Sequence, residues 1–363
     1  EVSLADTIVK LANDYTGSNN LNLLEPCGQF GTRLMGGKDA SQTRYIFTRL
    51  MPEARSVFDP RDDAVLTYLD DDGRSIEPEF YMPTIPMILV NGSEGIGTGF
   101  SCYVPPFNPK DIRNNILNFL GGNPIKKMKP WFRGFKGKVF EQDDDSWMTQ
   151  GVWTSIGRTV KVTELPPGRW TQDYKEHLDT LVEKKIISGF TNNSTTENVD
   201  FLIQDYNGKD AVKDLKLQKT IRTTNMHLFH PSKGICKYNS AEDILSDFIG
   251  LRTEYYKKRK DRLIWETQLR SDVCSERARF VKEVVNGELI VFKRKKQDLE
   301  KELSETFRQL DGSYDYLLHI KTIDYTEERV EALHKEALQA RQELEKLKKT
   351  EHIDMWISDI KNI

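Results

Sequence analysis

Gly28-Gln29-Phe30-Gly31-Thr32-Arg33, then Gly36-Gly37-Lys38-Asp39, then Ala40-Ser41-Gln42-Thr43-Arg44-Tyr45-Ile46-Phe47: this run sets the reading of the chain. Closely spaced glycines let a backbone approach a phosphate. Arg33, Lys38 and Arg44 supply positive charge against Asp39 alone, so the loop is suited to holding an anionic backbone. Tyr45 follows Arg44 directly, and a phenol in a basic setting can serve as a nucleophile through its oxygen. Composition alone leaves a second reading open, a tyrosine packed in a core.

Outward from this run the chain falls into three zones. Its 363 residues exceed one ordinary core and point to two or three units. With 37% hydrophobic residues and a mean hydropathy of -0.60, much of the chain is expected in elongated, solvent-rich structure. Residues 1–117 are rich in Gly, Pro and aromatics, with short apolar runs such as the strand-like Met87-Ile88-Leu89-Val90. Residues 118–237 alternate strand-like runs (Thr159 to Val162, Val199 to Ile203) with a helix-like one (Tyr174 to Ile187), giving a second α/β unit. From 238 the pattern becomes helical. Ser240 and Asp243 form an N-cap and box, and only Gly250 interrupts the run before Gly287.

If continuous to Val285, this helix spans about 65 to 70 Å. Ile244, Phe248, Leu251 and Tyr255 carry an interhelical spacing, and Val330, Leu333, Ala337, Ala340, Leu344 and Leu347 carry it without a fault. A long antiparallel hairpin follows. Its tip, about 288–325, holds Tyr314-Asp315-Tyr316-Leu317-Leu318, either a contact surface or a small local core.

Fifty-three basic and 56 acidic residues leave a net charge of -3, so only local charge is informative. Lys126, Lys127, Lys129, Arg133, Lys136 and Lys138 are six basic residues in thirteen with no acidic one. Trp131, Phe132 and Phe135 interleave them, which favours a nucleic-acid backbone contact over a solvated face. Lys216, Lys219 and Arg222 form a weaker second stretch. Cys27, Cys102, Cys236 and Cys274 show no paired spacing and read as free thiols, and the six histidines show no ligand spacing. Asp70-Asp71-Asp72 imitates a metal motif, but Gly73 makes it an exposed turn, and no metal ligand is assigned. After Gly92 to Gly99 no helix opens, so these glycines are a turn presenting Ile96 rather than a dinucleotide fingerprint. No membrane span or signal peptide is expected. The chain starts at Glu1 rather than Met, and it is expected to begin inside a longer polypeptide.

The run Gly28 to Phe47, Glu77-Pro78-Glu79-Phe80-Tyr81, Pro86 to Gly92 and Glu94 to Gly99 resemble the breakage and reunion region of eukaryotic-type DNA topoisomerase II, a type IIA enzyme. Islands of the resemblance continue through Glu164-Leu165-Pro166, Trp170-Thr171, Tyr174-Lys175, Lys216-Leu217-Gln218, Asp243-Ile244-Leu245 and Asp315 to Leu318. It implies an α+β multidomain protein: a winged-helix DNA-cleavage domain at 1–117, N-terminally incomplete, a tower domain at 118–237, and a coiled-coil arm at 238–363 ending in a dimer gate. It implies that Tyr45 attacks DNA to form a 5′-phosphotyrosine bond, that Arg44 stabilises charge on the phosphate, and that Ile96 wedges between base pairs and bends the DNA. DNA contacts are expected from Arg33, Lys38, Lys126, Lys127, Lys129, Arg133, Lys216, Lys219 and Arg222, and a two-fold contact from Tyr316, Leu317 and Leu318. Double-stranded DNA and a second copy are the expected partners. Mg2+ and ATP are expected to bind domains outside this chain, and the compartment to be the nucleus for a cellular source or the host cell or virion for a viral one. A non-enzymatic DNA-binding dimer is the rival, and the intact Arg44-Tyr45 pair argues against it.

Overall fold

A computed structural model of the chain describes residues 1–97, 100–310, 312–321 and 325–362. Thr98 and Gly99 of the glycine turn, and residues 311 and 322–324 of the expected tip, lie outside the described residues. The elements are mixed α and β, and the chain divides into two compact units: 1–60, 77–252 and 357–363 in the first, 61–76 and 253–356 in the second.

The first unit is organised by two antiparallel sheets. Four strands run in the order Val152–Ile156, Thr159–Glu164, Phe201–Gln204, Gly189–Asn192. The helix Thr171–Glu183 buries Tyr174, Leu178 and Leu181, spaced four and three apart on one face, in a core shared with Val160, Val162, Phe201 and Ile203 of the sheet. Strand Thr159–Glu164 alternates strictly, with Val160, Val162 and Glu164 inward. A carboxylate therefore sits where the pattern calls for an apolar side chain. The second sheet orders Gln218–Arg222, Ser146–Gln150 and Lys138–Asp143. Two hairpins complete the β structure of this unit, Ser93–Gly97 with Phe100–Val104 and Met226–His230 with Gly234–Tyr238.

Met87–Asn91 is a short helix, not the expected strand. Pro86 stands at its N-cap and Gly92 ends it at φ 71°, where a Cβ would lie 2.6 Å from the Val104 carbonyl. An apolar run this short carries no period that separates the two structures.

The long helix is continuous over Ala241–Val285, and its cap is the expected reciprocal box. The Ser240 N–H donates to Asp243 and the Asp243 N–H to the Ser240 hydroxyl, both at 3.1 Å. Of the expected seam, Ile244 and Tyr255 are buried, while the most deeply buried positions lie one residue further along. Leu245, Ile249, Arg252, Tyr256 and Arg259 are the innermost, while Phe248 and Leu251 are half-buried. The two arginines hid the stripe from a hydrophobic count. In the second unit Arg259 is fully buried, with its Nε donating to Asp62 Oδ1 at 2.6 Å and its guanidinium 4.4 Å from the Tyr256 ring centroid. Trp356 stacks on Tyr256, with the ring centroids 5.5 Å apart. The helix Glu327–Lys349 keeps the expected seam, with Leu333, Ala340 and Leu344 buried and Val330, Ala337 and Leu347 half-buried. It runs antiparallel to the long helix, since Arg270 pairs with Glu343 and Lys348 reaches Gln268.

Candidate active site

Tyr45 lies at the end of a short 3-10 turn, Thr43–Tyr45, closed by its N–H to the Gln42 carbonyl at 2.9 Å. The flanking chain is pinned on both sides. Cys27 and Phe47 exchange backbone hydrogen bonds at 3.1 and 3.0 Å, Glu25 N–H donates to the Arg49 carbonyl at 2.8 Å, and Ser41 N–H to the Gln29 carbonyl at 2.9 Å. Ile46 turns inward to Val9, Ala12 and Phe30, against Gly28, where a Cβ would come within 2.9 Å of its Cγ2. Its neighbour therefore turns outward: Tyr45 is 66% exposed, which removes the core-tyrosine reading. Arg44 is exposed beside it, with its guanidinium 4.8 Å from the phenol ring centroid.

The glycines of the preceding loop face protein, which corrects the expectation that they open the backbone to phosphate. Gly31, Gly36 and Gly37 all have positive φ. A Cβ on Gly36 would lie 2.3 Å from the Trp170 indole, one on Gly31 2.5 Å from Gly37 Cα, and one on Gly37 2.7 Å from the Tyr15 hydroxyl. Asp39 staples the loop, accepting from the Thr32 N–H at 2.8 Å and its hydroxyl at 2.5 Å. Burial, with Asp39 nearby, pushes the Tyr15 phenol up to about 12. Tyr15 meets Trp170 edge-on at 5.7 Å.

Arg33 is the second correction. Only 5% exposed, it pairs with the buried Glu164 and donates to the Leu165 carbonyl at 3.2 Å, so its charge is spent inside the protein rather than offered to DNA. Glu164 also accepts from the Leu165 N–H at 2.9 Å and the Lys136 N–H at 3.2 Å. Sequence reasoning missed Glu164, although the alternation Val160, Val162, Glu164 placed it on the buried face, where a carboxylate needs a partner.

The remaining basic residues separate by environment. Lys38, Lys126, Lys129, Lys216 and Arg222 are exposed. Lys127 is exposed but paired with Glu141, with its ammonium 5.6 Å from the Trp147 ring centroid. Arg133 is committed inward, to Asn22 at 3.1 Å and the Asp14 carbonyl at 2.8 Å. The aromatic residues among these lysines have a structural explanation too: Phe132 packs with Trp147 and Ile221, and Phe135 lies against them. Lys219 is exposed too, but its ammonium donates to the Pro167 carbonyl at 3.3 Å, and partial desolvation there, with Arg169 nearby, lowers its pKa. Lys219 and Arg222 line a groove with Gly36, Trp170 and Asn225, whereas Lys38 and Arg44 line another with Lys10. Lys126, Lys127 and Lys129 line a third. Ile96, 88% exposed near the end of its hairpin, is not core packing.

At the expected tip the local-core reading describes Tyr314 and Leu317. Leu317 is fully buried with Phe280, Leu303, Phe307 and Leu333, so it is not itself a contact surface. The Tyr316 hydroxyl donates to the Arg308 carbonyl at 2.7 Å, and Leu318 packs against the same core. Among the described residues of the tip, Ile290 and Phe292 are exposed apolar side chains, at 63% and 66%. Among the described residues no group of three or more His, Cys, Asp or Glu could hold a metal ion. Asp70 instead accepts from the Gly73 N–H at 3.0 Å in a turn with Asp72 and Gly73 at φ 50° and 79°. No helix among the described residues is long and apolar enough to cross a membrane.

A pinned loop presenting an exposed Arg-Tyr pair, on a mixed α/β frame continued by a long helix, defines a class, and comparison with known proteins identifies it. The model of the family formed by the A subunits of DNA gyrase/topoisomerase IV matches residues 1–361, and the chain belongs to that family. A DNA topoisomerase 2 of Penicillium chrysogenum is 39% identical over 405 residues, covering 100% of this chain and 26% of its own. A mitochondrial DNA topoisomerase 2 of Dictyostelium discoideum is 38% identical, covering 100% and 30%. The solved Plasmodium falciparum topoisomerase II DNA-binding, cleavage and re-ligation domain superposes with a TM-score of 0.90 at 38% identity, covering 99% of this chain and 54% of that one. The chain thus spans under a third of the length of these curated relatives.

The packing at Gly36 can be tested directly. Gly36→Ala combines left-handed strain with overpacking against Trp170 and should destabilise the first unit by about 3 kcal/mol. Gly157→Ala, at φ 60° in open space, should cost about 1 kcal/mol. Urea unfolding of the two variants gives the comparison, and equal losses would mean that the loop yields freely.

Proposed function

We propose that this chain is the DNA gate of a type II DNA topoisomerase, and that Tyr45 is its nucleophile. The observation that carries the reading is the phenol of Tyr45, held out to solvent by a turn pinned on both flanks, with Arg44 beside it. Membership of the family supports it. In the reaction the Tyr45 oxygen attacks a DNA phosphorus, the bond to the 3′ oxygen breaks, and the phosphate remains joined to the tyrosine at the 5′ end. The phosphotyrosine keeps the bond energy, so attack by the 3′ hydroxyl reseals the strand without new activation. Arg44 stabilises charge on the transferring phosphate.

Lys38, Lys126, Lys129, Lys216 and Arg222 are the proposed phosphate contacts, with Lys127 and Lys219 available once released from Glu141 and Pro167. Residues 1–117, 118–237 and 238–363 are taken as winged-helix, tower and coiled-coil arm, the arm ending in a two-fold contact. Magnesium and ATP are proposed to bind regions outside residues 1–363. For a cellular source the proposed compartment is the nucleus, and imaging of the tagged protein checks it.

Tyr45→Phe in the full-length protein should abolish covalent DNA adduct with DNA affinity nearly unchanged, and residual adduct would remove Tyr45 from its role. Arg44→Ala should lower the cleavage rate about 100-fold. Ile96→Ala should reduce DNA bending more than binding, read by energy transfer between duplex ends, and an unchanged bend would refute the wedge. With Leu317 committed to the local core, Ile290 and Phe292 are the better candidates for self-association. Changing both to Asp should give monomers in sedimentation, and an intact dimer would place the contact elsewhere.

A further inference from the structure

The buried Arg33–Glu164 pair is used by nothing in the chemistry above, yet it sits twelve residues before the proposed nucleophile. It is one of several contacts joining the Gly28–Asp39 loop to the segment Glu164–Gln172. The Gln172 N–H donates to the Leu34 carbonyl at 2.9 Å, the Thr171 N–H to the Arg33 carbonyl at 3.5 Å, and Trp170 covers Gly36 so closely that no side chain fits between them. The segment that receives these contacts is rigid, because it links a central strand to a helix whose Tyr174, Leu178 and Leu181 lie in the main core. On the other side, Ser41 hydrogen-bonds back to Gln29, so the loop that bears Arg33 hands its position to the turn that bears Tyr45.

We infer that Arg33 and Glu164 are positioning residues for strand cleavage: their ion pair, with Trp170 on Gly36, fixes the loop that aims the Tyr45 oxygen at the DNA phosphorus. Neither residue touches DNA. An in-line displacement depends on the attacking atom being placed within a fraction of an ångström, so slack in this weld is felt in the rate of bond making rather than in binding. Arg33 suits the task because one nitrogen of its planar guanidinium, Nη2, donates to both Glu164 and the Leu165 carbonyl, with the directions of its two N–H bonds fixed by the plane. The inference rests on Tyr45 as the nucleophile.

The test is single-turnover cleavage by the full-length protein at saturating DNA, together with the Kd for the same duplex. Glu164→Gln and Arg33→Lys should each slow formation of the covalent adduct by about 10- to 100-fold while changing Kd less than about 3-fold. Should Glu164→Gln fail to fold, Trp170→Phe, which loosens the cover on Gly36 without touching a charge, carries the same expectation. A purely structural role would instead lower the folded fraction, reduce binding and cleavage alike, and recover on cooling. Either that pattern or wild-type cleavage rates in the folded variants overturns the inference alone. Adduct mapped to a residue other than Tyr45 in the wild type would remove the nucleophile assignment, and this inference with it.

Discussion

Glu164 is a carboxylate on the buried face of a central strand, and its environment is tolerable only because Arg33 meets it there. A lone ionised group in such a position is costly, and removing one partner of a buried pair typically costs about 3–5 kcal/mol. The pair therefore couples two parts of the chain that each need the other. The same carboxylate accepts from the backbone of Lys136, which fixes the end of the lysine-rich stretch as well. Three segments, carrying the nucleophile loop, the lysine-rich stretch and an inner strand of the sheet, are registered against one side chain. That arrangement explains why an otherwise irregular, glycine-rich loop holds a defined path before Tyr45.

The second unit repeats the device with the signs exchanged in sequence order. Asp62 lies on the short helix Pro60–Asp63, and Arg259 lies on the inner stripe of the long helix. The Tyr256 ring, itself stacked on Trp356, lies against the guanidinium, a setting that suits the weakly hydrated Arg better than Lys. In both units a buried arginine is held by a carboxylate remote in the chain, and in both the arginine looked like a surface residue in sequence. Lys38, Lys126, Lys129, Lys216 and Arg222 are exposed instead, and they are the proposed contacts to DNA.

Exposure separates the candidates more sharply than residue type. Arg44 and Tyr45 project because Ile46, next in sequence, is anchored in a small core, so the outward direction is a consequence of packing. Ile96 projects from a hairpin too short to cover it. Arg33 and Arg133 resemble these residues in composition and differ only in having acceptors within reach.

Much was legible in the sequence alone. The Ser240–Asp243 box, the faultless seam from Val330 to Leu347, the Asp72-Gly73 turn and the Arg44-Tyr45 pair are written in residues three or four apart or fewer, and local backbone geometry settles them. The helix at Met87–Asn91 was not legible, because four apolar residues fit either period. Nor were the inward Arg33, whose partner is 131 residues away, the buried arginines of the long helix, whose Arg259 is neutralised 197 residues upstream, or the burial of Leu317. Whether a charge or a leucine faces water depends on what the rest of the chain brings to it. That is a property of the tertiary structure, since the desolvation cost of a side chain and the group that offsets it are brought together only by folding.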